Sequence, residues 1–188
     1  PNSLGMLLHH QMSDAPVHLW TLPLFQCNGW NFAWAIAAVG GTHVCLRQIS
    51  AEQIFQKIEQ HQVTHMCCAP TVLSFIIEGA KQHYKPFAKP VSVMTAGAAP
   101  PSSVLEKTES LGFKVNHVYG MTEVHGVTVI CEEKDEGEQY DSTTKARFLA
   151  RQGVRTIVTD EVIVGDAENQ PVPCDGQTMG EVLFRCNQ

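Results

Sequence analysis

The chain has 188 residues, of which 44% are hydrophobic and 17% are charged, and its formal net charge is −6. This composition is typical of a soluble folded protein and excludes a disordered chain. The acidic balance argues against nucleic-acid binding, which needs clustered Lys and Arg, and no apolar run reaches the roughly 18 residues of a membrane-spanning helix.

Strand and helix signals alternate along the first two thirds of the chain. Five short apolar runs predict strands, at residues 17–22, 42–46, 63–67, 91–95 and 115–119. Between them lie helix signals, including capping boxes that begin at Ser50 and Ser103, a segment at 71–77 that Gly79 should end, and an apolar segment at 30–39. This alternation predicts an α/β fold with a doubly wound, mostly parallel sheet flanked by helices.

The pattern changes after residue 131. Residues 132–152 have the character of a charged loop followed by a polar helix, and residues 153–188 contain three short strand-like runs, at 155–159, 161–164 and 181–185. We therefore expect a parallel α/β subdomain at 1–131, a connecting segment at 132–152, and part of a small β-rich subdomain at 153–188. Three strands are few for a sheet with its own core.

The cysteines bear on the compartment of the protein. There are seven, and no pair has the C-x-x-C spacing of a zinc or redox site. Several lie in apolar runs, where a free thiol behaves as a small hydrophobic side chain. We therefore expect a reducing, cytoplasmic location.

Four loops that follow predicted strands have an unusual composition. Ligands of an open parallel sheet bind beyond the carboxyl ends of its strands. The loops at 23–30, 68–71, 96–101 and 119–123 are rich in Gly, Ala, Pro and aromatic residues. Small residues let a flat ligand approach the backbone, Tyr119 can stack on it, and Thr122 and Glu123 offer oxygen ligands for phosphate or Mg²⁺. These loops predict a pocket for an aromatic, phosphorylated ligand.

The same loops resemble motifs of the adenylate-forming (AMP-binding) enzymes, and specifically of the acyl-CoA synthetases. The run Tyr119-Gly120-Met121-Thr122-Glu123 is similar to the family signature Y-G-x-T-E. Residues 95–100 (TAGAAP) resemble the adenine-binding segment G-A-x-P, and residues 22–30 (LPLFQCNGW) resemble the acyl-pocket segment P-x-F-H-x-N-G-W. Segments 66–71 and 179–182 match lesser motifs in the expected order.

The resemblance implies an ATP-dependent ligase that joins an acid to a thiol, as in fatty-acid metabolism. A carboxylic acid and ATP would give an acyl-adenylate and pyrophosphate, and coenzyme A would then attack the adenylate to give a thioester. The implied cofactors are ATP or AMP and Mg²⁺, with coenzyme A as a substrate. The apolar segment at 30–39 favours an apolar acid, fatty or aromatic.

The resemblance also assigns roles to individual residues. The implied nucleotide-binding residues are Gly97, Ala98, Ala99, Tyr119, Gly120, Met121 and Thr122. Tyr119 would stack on adenine, and the catalytic pair would be Thr122, bonded to the α-phosphate, and Glu123, bound to Mg²⁺. Without the motif, Glu123 would more commonly cap a helix or pair with a lysine.

The implied acyl-pocket residues are Gln26, Asn28, Gly29 and Trp30. Gln26 stands where close family members carry His. A glutamine can donate a hydrogen bond but cannot carry a charge, so a role that needs an imidazolium is in question. Trp30 and Trp34 are by default core aromatic residues, and lining a pocket would be a small extension of that role.

Three family elements do not occur in these 188 residues: the phosphate loop that ends in Lys, the Tyr-Arg-Thr-Gly-Asp stretch, and the C-terminal lid domain with its lysine. We therefore expect a central fragment of the large N-terminal domain that is inactive by itself and self-associates through apolar surface. The alternative is a non-catalytic remnant that binds a nucleotide or a partner. A dinucleotide-binding fold is disfavoured because no G-x-G-x-x-G follows a predicted strand.

Overall fold

The computed structural model describes residues 1–13, 15–132 and 140–186, except for the side chains of Cys27, Asn28 and Trp30. The charged loop predicted from residue 132 onward therefore lies almost wholly outside the described residues.

The main sheet has seven strands, and its first five are parallel. In chain order the strands are β1 (Val17–Trp20), β2 (Thr42–Cys45), β3 (His65–Cys68), β4 (Val91–Thr95), β5 (Phe113–Met121), β6 (Gly126–Cys131) and β7 (Val154–Arg155). Their order across the sheet is β2-β1-β3-β4-β5-β6-β7. Strands β6 and β7 pair antiparallel with their neighbours at one edge. The predicted α/β class with a mostly parallel sheet is confirmed.

Helices cover both faces of this sheet. They are α1 (Asn2–His9), α2 (Cys27–Ala38), α3 (Ala51–His61), α4 (Pro70–His83), α5 (Ser102–Ser110) and α6 (Ser142–Leu149). The step from β1 to β2 runs across the sheet in the opposite direction to the later steps. Right-handed crossovers therefore place α2 on one face and α3, α4 and α5 on the other. None of the described helices combines the length and the apolar character that crossing a membrane requires.

Each face has its own hydrophobic core. The core under α3, α4 and α5 includes Ile54, Leu73 and Leu105, all fully buried. The core under α1 and α2 includes Met6 and Phe32, also fully buried. The two cores explain why the parallel strands are apolar on both sides, as a sheet covered on both faces requires.

Local signals predicted some helix ends correctly and others wrongly. The Ser50 side chain caps α3 and accepts a hydrogen bond from the Gln53 backbone N–H at 3.2 Å, as predicted. The capping box predicted at Ser103 is wrong. Helix α5 already begins at Ser102 because Pro101 precedes it in an extended conformation and its carbonyl accepts the first helical hydrogen bonds.

Gly79 does not end a helix, contrary to the sequence-based expectation. It lies inside α4, where a Cβ atom would come within 2.1 Å of the Cβ atom of Ala51 on α3. The absence of a side chain at position 79 therefore allows α3 and α4 to pack closely. The sequence around Gly79 predicts the end of a helix because it carries no information on this distant contact.

The chain leaves the main sheet through a turn of buried threonines. The strand predicted at 155–159 is wrong, because β7 ends at Arg155 and the backbone N–H of Thr156 donates to the carbonyl of Thr128 at 2.8 Å. The hydroxyls of Thr156 and Thr159 lie 2.9 Å apart and close the turn.

A second, two-stranded antiparallel sheet follows, made of β8 (Thr159–Gly165) and β9 (Glu181–Cys186). The other two strands predicted in the tail lie within β8 and β9. Helix α1 and strand β6 were not predicted, and the proposed domain boundaries stay a prediction.

Three buried histidines lie together where α1 ends against the sheet. His18 on β1 is opposite His65 on β3 in the strand register, and the rings of His10 and His65 are 4.7 Å apart. The Nε2 atom of His65 lies 3.0 Å from the carbonyl oxygen of His10 and donates to it. Burial is the main cause that lowers the pKa of all three, and it lowers the pKa of His18 to about 3. These histidines are therefore neutral in the folded protein at neutral pH.

This cluster predicts that the folded state loses stability in mild acid. Between the lowered pKa of the folded state and the ordinary value of 6.5, the unfolded chain binds more protons, so acid favours unfolding. A histidine that stays neutral in the folded state lowers the free energy of unfolding by about 1.4 kcal/mol for each pH unit below its pKa in the unfolded chain. We expect the free energy of unfolding, measured in urea, to be lower at pH 5.5 than at pH 7.5.

The variant His18→Phe should reduce this pH dependence, because Phe keeps the aromatic contact with Phe32 but does not titrate. His61→Gln, at an exposed position at the end of α3, is the matched control and should leave the dependence unchanged. Equal slopes for the wild type and His18→Phe would contradict the interpretation.

Candidate functional site

The four loops of unusual composition leave the sheet at the same edge. Strands β1, β3, β4 and β5 are parallel neighbours, with Trp20 opposite Cys67, Cys68 opposite Thr95, and Thr95 opposite His117. The carboxyl ends of these strands therefore lie side by side. The strand order reverses between β1 and β3, and such a switch point opens a crevice at this edge.

Strand β5 extends beyond its parallel neighbour. The last pair between β4 and β5 is Thr95 with His117, so residues 118–121 continue past the edge and pair only with the antiparallel strand β6. The first four residues of the signature-like run, 119–122, therefore lie on or directly after a strand that projects into the region of the loops.

Gly120 sits at a place where two backbones nearly touch. The register between β5 and β6 shifts between Tyr119 and Gly120, which leaves Thr128 as the extra residue of a β-bulge. A Cβ atom at position 120 would lie 1.7 Å from the carbonyl oxygen of Gly126. This close approach explains why position 120 of the run is glycine.

Thr122 and Glu123 lie in a single 3₁₀ turn, Thr122–Val124, between β5 and β6. The turn ends at His125, which has a left-handed backbone with φ of 55° and donates its N–H to the Thr122 carbonyl at 3.0 Å. Both Thr122 and Glu123 are exposed. In the part of the chain that the structure describes, the Glu123 carboxylate has neither a lysine partner nor a capping hydrogen bond, so these two ordinary roles do not occupy it.

Tyr119 is half-buried and contacts a residue of the second sheet. Its ring is nearly parallel to that of Phe184 on β9, at a centroid distance of 6.0 Å and an angle of 23°. Phe184 was not predicted as a site residue, and its only sequence signal is an aromatic position in a predicted strand. A base that stacks on Tyr119 would use the face opposite Phe184.

The segment 97–99 is exposed at the end of β4. Gly97 has a φ of +91°, in the region that favours glycine, and apart from Gly97 and its two chain neighbours no described atom lies within 4 Å of the position of a Cβ atom there. A ligand can therefore approach the backbone of Gly97, Ala98 and Ala99 closely.

The predicted acyl-pocket segment connects β1 to α2. Gln26 is exposed at the N-cap position of α2, without a side-chain capping bond. Gly29 is buried where a Cβ atom would come within 2.6 Å of the Pro23 carbonyl oxygen. The side chains of Asn28 and Trp30 lie outside the described part of the structure. Trp34, expected in the core by default, is 58% exposed because its side of α2 faces away from the sheet.

Two further candidate site residues were not predicted from the sequence. The side-chain amides of Asn2 on α1 and Asn31 on α2 both donate to the carbonyl oxygen of His125, each at 2.7 Å. They connect two helices to the turn that carries Thr122 and Glu123. The sequence offers no local signal for this contact, since both asparagines are distant from residue 125 along the chain.

Because the backbones approach closely at Gly120 but not at Gly97, alanine substitutions at the two positions should differ in their loss of stability. Gly120→Ala forces the backbones of β5 and β6 apart, and we expect a loss of about 3 kcal/mol or more, at the upper end of overpacking effects. Gly97→Ala meets open space and should cost only about 1–2 kcal/mol for its left-handed backbone. Urea unfolding of both variants checks this ranking, and equal stability losses would contradict the structural assignment of Gly120.

The chain is similar to known proteins over nearly all of its length. The family model "AMP-binding enzyme" matches residues 2–188. The chain is 42% identical over 185 residues to a peroxisomal butyrate–CoA ligase of Arabidopsis thaliana, and 42% identical over 184 residues to a peroxisomal benzoate–CoA ligase of the same plant. It is 48% identical over 184 residues to a probable CoA ligase of Humulus lupulus.

These alignments cover 97–98% of this chain but only 32% of each relative, so the chain spans about a third of their length. Among solved structures, the o-succinylbenzoate coenzyme A synthetase of Bacillus subtilis, in complex with ATP and magnesium ion, has a TM-score of 0.78 and 21% identity over 98% of this chain and 35% of its own. The N-terminal domain of FACL13 from Mycobacterium tuberculosis has a TM-score of 0.79 and 19% identity over 98% of this chain and 44% of its own. At these identities the structural likeness concerns the fold.

The family model covers nearly the whole chain. The motif segments 22–30, 66–71, 95–100 and 119–123 lie at the carboxyl edge of the main sheet, whereas segment 179–182 lies at the start of β9. The chain belongs to the family of AMP-binding enzymes.

Proposed function

We propose that these residues form the central part of an ATP-dependent acyl-CoA synthetase. In the first step a carboxylate oxygen of the acid attacks the α-phosphorus of ATP, and pyrophosphate leaves. In the second step the thiol of coenzyme A attacks the acyl carbon, and AMP leaves. The observation that carries the proposal is the exposed turn with Thr122 and Glu123 at the carboxyl edge of the sheet, directly after the strand that ends with residues 119–121.

The nucleotide would lie over the ends of β4 and β5. Gly97, Ala98 and Ala99 would form one wall of the adenine pocket, and Tyr119, backed by Phe184, would stack on the base. Beyond the bulge at Gly120, Met121 ends β5 and Thr122 begins the 3₁₀ turn, so the Thr122 hydroxyl would donate to the α-phosphate. In line attack requires this orientation of the phosphate, and such positioning is a major part of phosphoryl-transfer catalysis.

Glu123 would hold the magnesium ion that accompanies ATP. Its carboxylate is exposed and unpaired among the described residues, and in that part of the chain no group of three or more His, Cys, Asp or Glu side chains is placed to bind a metal alone. One protein carboxylate combined with phosphate oxygens and water is the usual coordination of Mg²⁺ in nucleotide sites. The ion would neutralise charge on the phosphates.

The acid would bind beside the 22–30 segment, which includes the first turn of α2. Leu24 and Phe25 are 54% and 75% exposed beside the predicted pocket residues Gln26, Asn28, Gly29 and Trp30, so apolar surface is available there. The relatives are named as ligases of butyrate, benzoate and trans-cinnamate. We propose an apolar carboxylic acid, short-chain or aromatic, with an uncharged hydrogen-bond donor, Gln26, at the pocket entrance.

The compartment is proposed only as a reducing one. Four of the described cysteines, Cys45, Cys68, Cys174 and Cys186, are free thiols. Our sequence-based expectation was cytoplasmic, whereas several relatives are named peroxisomal. Expression of the complete natural chain as a fluorescent fusion would distinguish the two locations.

The decisive experiment removes the proposed magnesium ligand. In the complete natural chain that contains these residues, Glu123→Gln should lower kcat/KM for MgATP by about 100-fold, as losses of single electrostatic contacts in a reaction site do. The KM for the acid should change little. The assay is acid-dependent exchange of pyrophosphate into ATP, with butyrate, benzoate and trans-cinnamate as probes.

Glu78→Gln is the matched control, because Glu78 is an exposed carboxylate on α4, outside the proposed site. It should retain wild-type exchange. If Glu123→Gln and Glu78→Gln behaved alike, Glu123 would not be the magnesium ligand.

We further predict that the isolated 188 residues form no acyl-adenylate at a useful rate. Their sequence contains no glycine-rich phosphate loop ending in Lys, so the β- and γ-phosphates lack their usual cradle. Pyrophosphate exchange by the isolated chain should equal the blank without protein, and robust acid-dependent exchange would overturn this prediction.

If the natural chain itself proved inactive while it bound AMP, the alternative of a non-catalytic nucleotide-binding remnant would be favoured. Gel filtration of the isolated chain tests the expected self-association.

A further inference from the structure

Two buried asparagines converge on one carbonyl next to the proposed phosphate-binding turn. The Nδ2 atoms of Asn2 and Asn31 each lie 2.7 Å from the carbonyl oxygen of His125, over sequence separations of 123 and 94 residues. Asn2 Nδ2 is also 3.5 Å from the Val124 carbonyl oxygen. A carbonyl oxygen has two lone pairs, so the two amides can fill the acceptor capacity of His125.

The orientation of both amides is determined by chemistry. A carbonyl oxygen only accepts hydrogen bonds, so each asparagine must present its NH₂ group to His125 and turn its Oδ1 atom away. Asn2 is 2% exposed and Asn31 is 0% exposed. Both Oδ1 atoms are buried and have no hydrogen-bond partner among the described residues.

The two unpartnered Oδ1 atoms lower the stability of the fold. A buried acceptor without a partner loses its hydration, and an apolar side chain of similar size would avoid that loss. The two asparagines therefore contribute something other than efficient packing of α1 and α2. What they contribute is the position of the carbonyl that ends the Thr122–Val124 turn.

The turn needs such support because it is short and exposed. It has one internal backbone hydrogen bond, from His125 N–H to the Thr122 carbonyl. His125 also holds a left-handed backbone, which costs energy for any residue with a side chain. Without the two amides, the turn that carries the Thr122 hydroxyl and the Glu123 carboxylate would be held only by the paired strand ends at Met121 and Gly126 and by the buried side chain of Val124.

We propose that Asn2 and Asn31 are positioning residues that clamp the His125 carbonyl and thereby hold Thr122 and Glu123 in place for the MgATP phosphates. The inference rests on the proposed function. The two hydrogen-bond donors lie on different helices. Asn31 is on α2, which begins in the predicted acyl pocket, whereas Asn2 is on α1, which contains no predicted site residue. Asn2 therefore isolates the effect on the nucleotide.

The test uses Asn2→Leu, Asn31→Leu and the double variant in the complete natural chain. Each single variant leaves one donor on the His125 carbonyl and removes one unpartnered Oδ1 atom, so it should unfold at a urea concentration no lower than the wild type. Its kcat/KM for MgATP should fall about 10-fold, the equivalent of one hydrogen bond of about 1.4 kcal/mol, and the double variant should fall further. The Mg²⁺ concentration for half-maximal exchange should rise, while Asn2→Leu should leave the KM for benzoate or butyrate unchanged.

Met6→Ala is the matched control for damage to α1. Met6 is fully buried on the same helix, in the apolar core, and is not part of the clamp. It should lower the urea midpoint without raising the Mg²⁺ requirement. The proposal fails if Asn2→Leu leaves the Mg²⁺ dependence at the wild-type value, or if its loss of activity follows stability as in Met6→Ala. Where a Leu variant does not fold, Asn2→Ala and Asn31→Ala replace it with the same expected kinetics.

The wild-type assay separates this inference from the proposed function. Exchange that requires the acid and Glu123 supports the synthetase, and the asparagine variants then decide the clamp alone. If the wild type shows no exchange with any of the three acids, the proposed function fails, and AMP binding measured by calorimetry on wild type and Asn2→Leu still tests the clamp. Equal affinity of the two would then overturn it.

Discussion

The close contact of β5 with β6 at Gly120 determines where Tyr119 and the Thr122–Val124 turn lie in the candidate site. At that point the two backbones are so near that a Cβ atom would lie 1.7 Å from the Gly126 carbonyl oxygen. The contact allows β5 to continue beyond the edge of the parallel sheet with a bulge, and it places the Thr122–Val124 turn past the ends of the other strands. A side chain at position 120 would separate the strands and displace Tyr119 together with the turn.

The antiparallel partner β6 is consequently part of the site, although it contributes no predicted ligand contact. Its six residues are all buried, and it carries the core under α1 and α2 through Val127 and Ile130. Helices α1 and α2 pack against this side of the sheet and bring Asn2 and Asn31 to the His125 carbonyl. The stability of this layer and the geometry of the proposed phosphate contacts thus depend on the same elements.

The local part of this organisation was readable from the sequence. The alternation of apolar runs and helix signals predicted the five parallel strands, because strand and helix periodicity are properties of neighbouring residues. The Ser50 cap was predicted for the same reason, since its bond partner Gln53 lies three residues away. The signature-like run 119–123 could be identified because its small, aromatic and oxygen-bearing residues are consecutive.

The remaining features required the tertiary structure, because their partners are far apart in the chain. Gly79 packs against Ala51, Tyr119 stacks near Phe184, and the two asparagines reach His125 over 123 and 94 residues. Such contacts leave no periodic pattern, and a buried asparagine at the start of a helix resembles an ordinary polar residue in the sequence. The sequence by itself therefore determined the family, the sheet and the candidate ligand residues, whereas only long-range packing decided which side chains hold those residues in position.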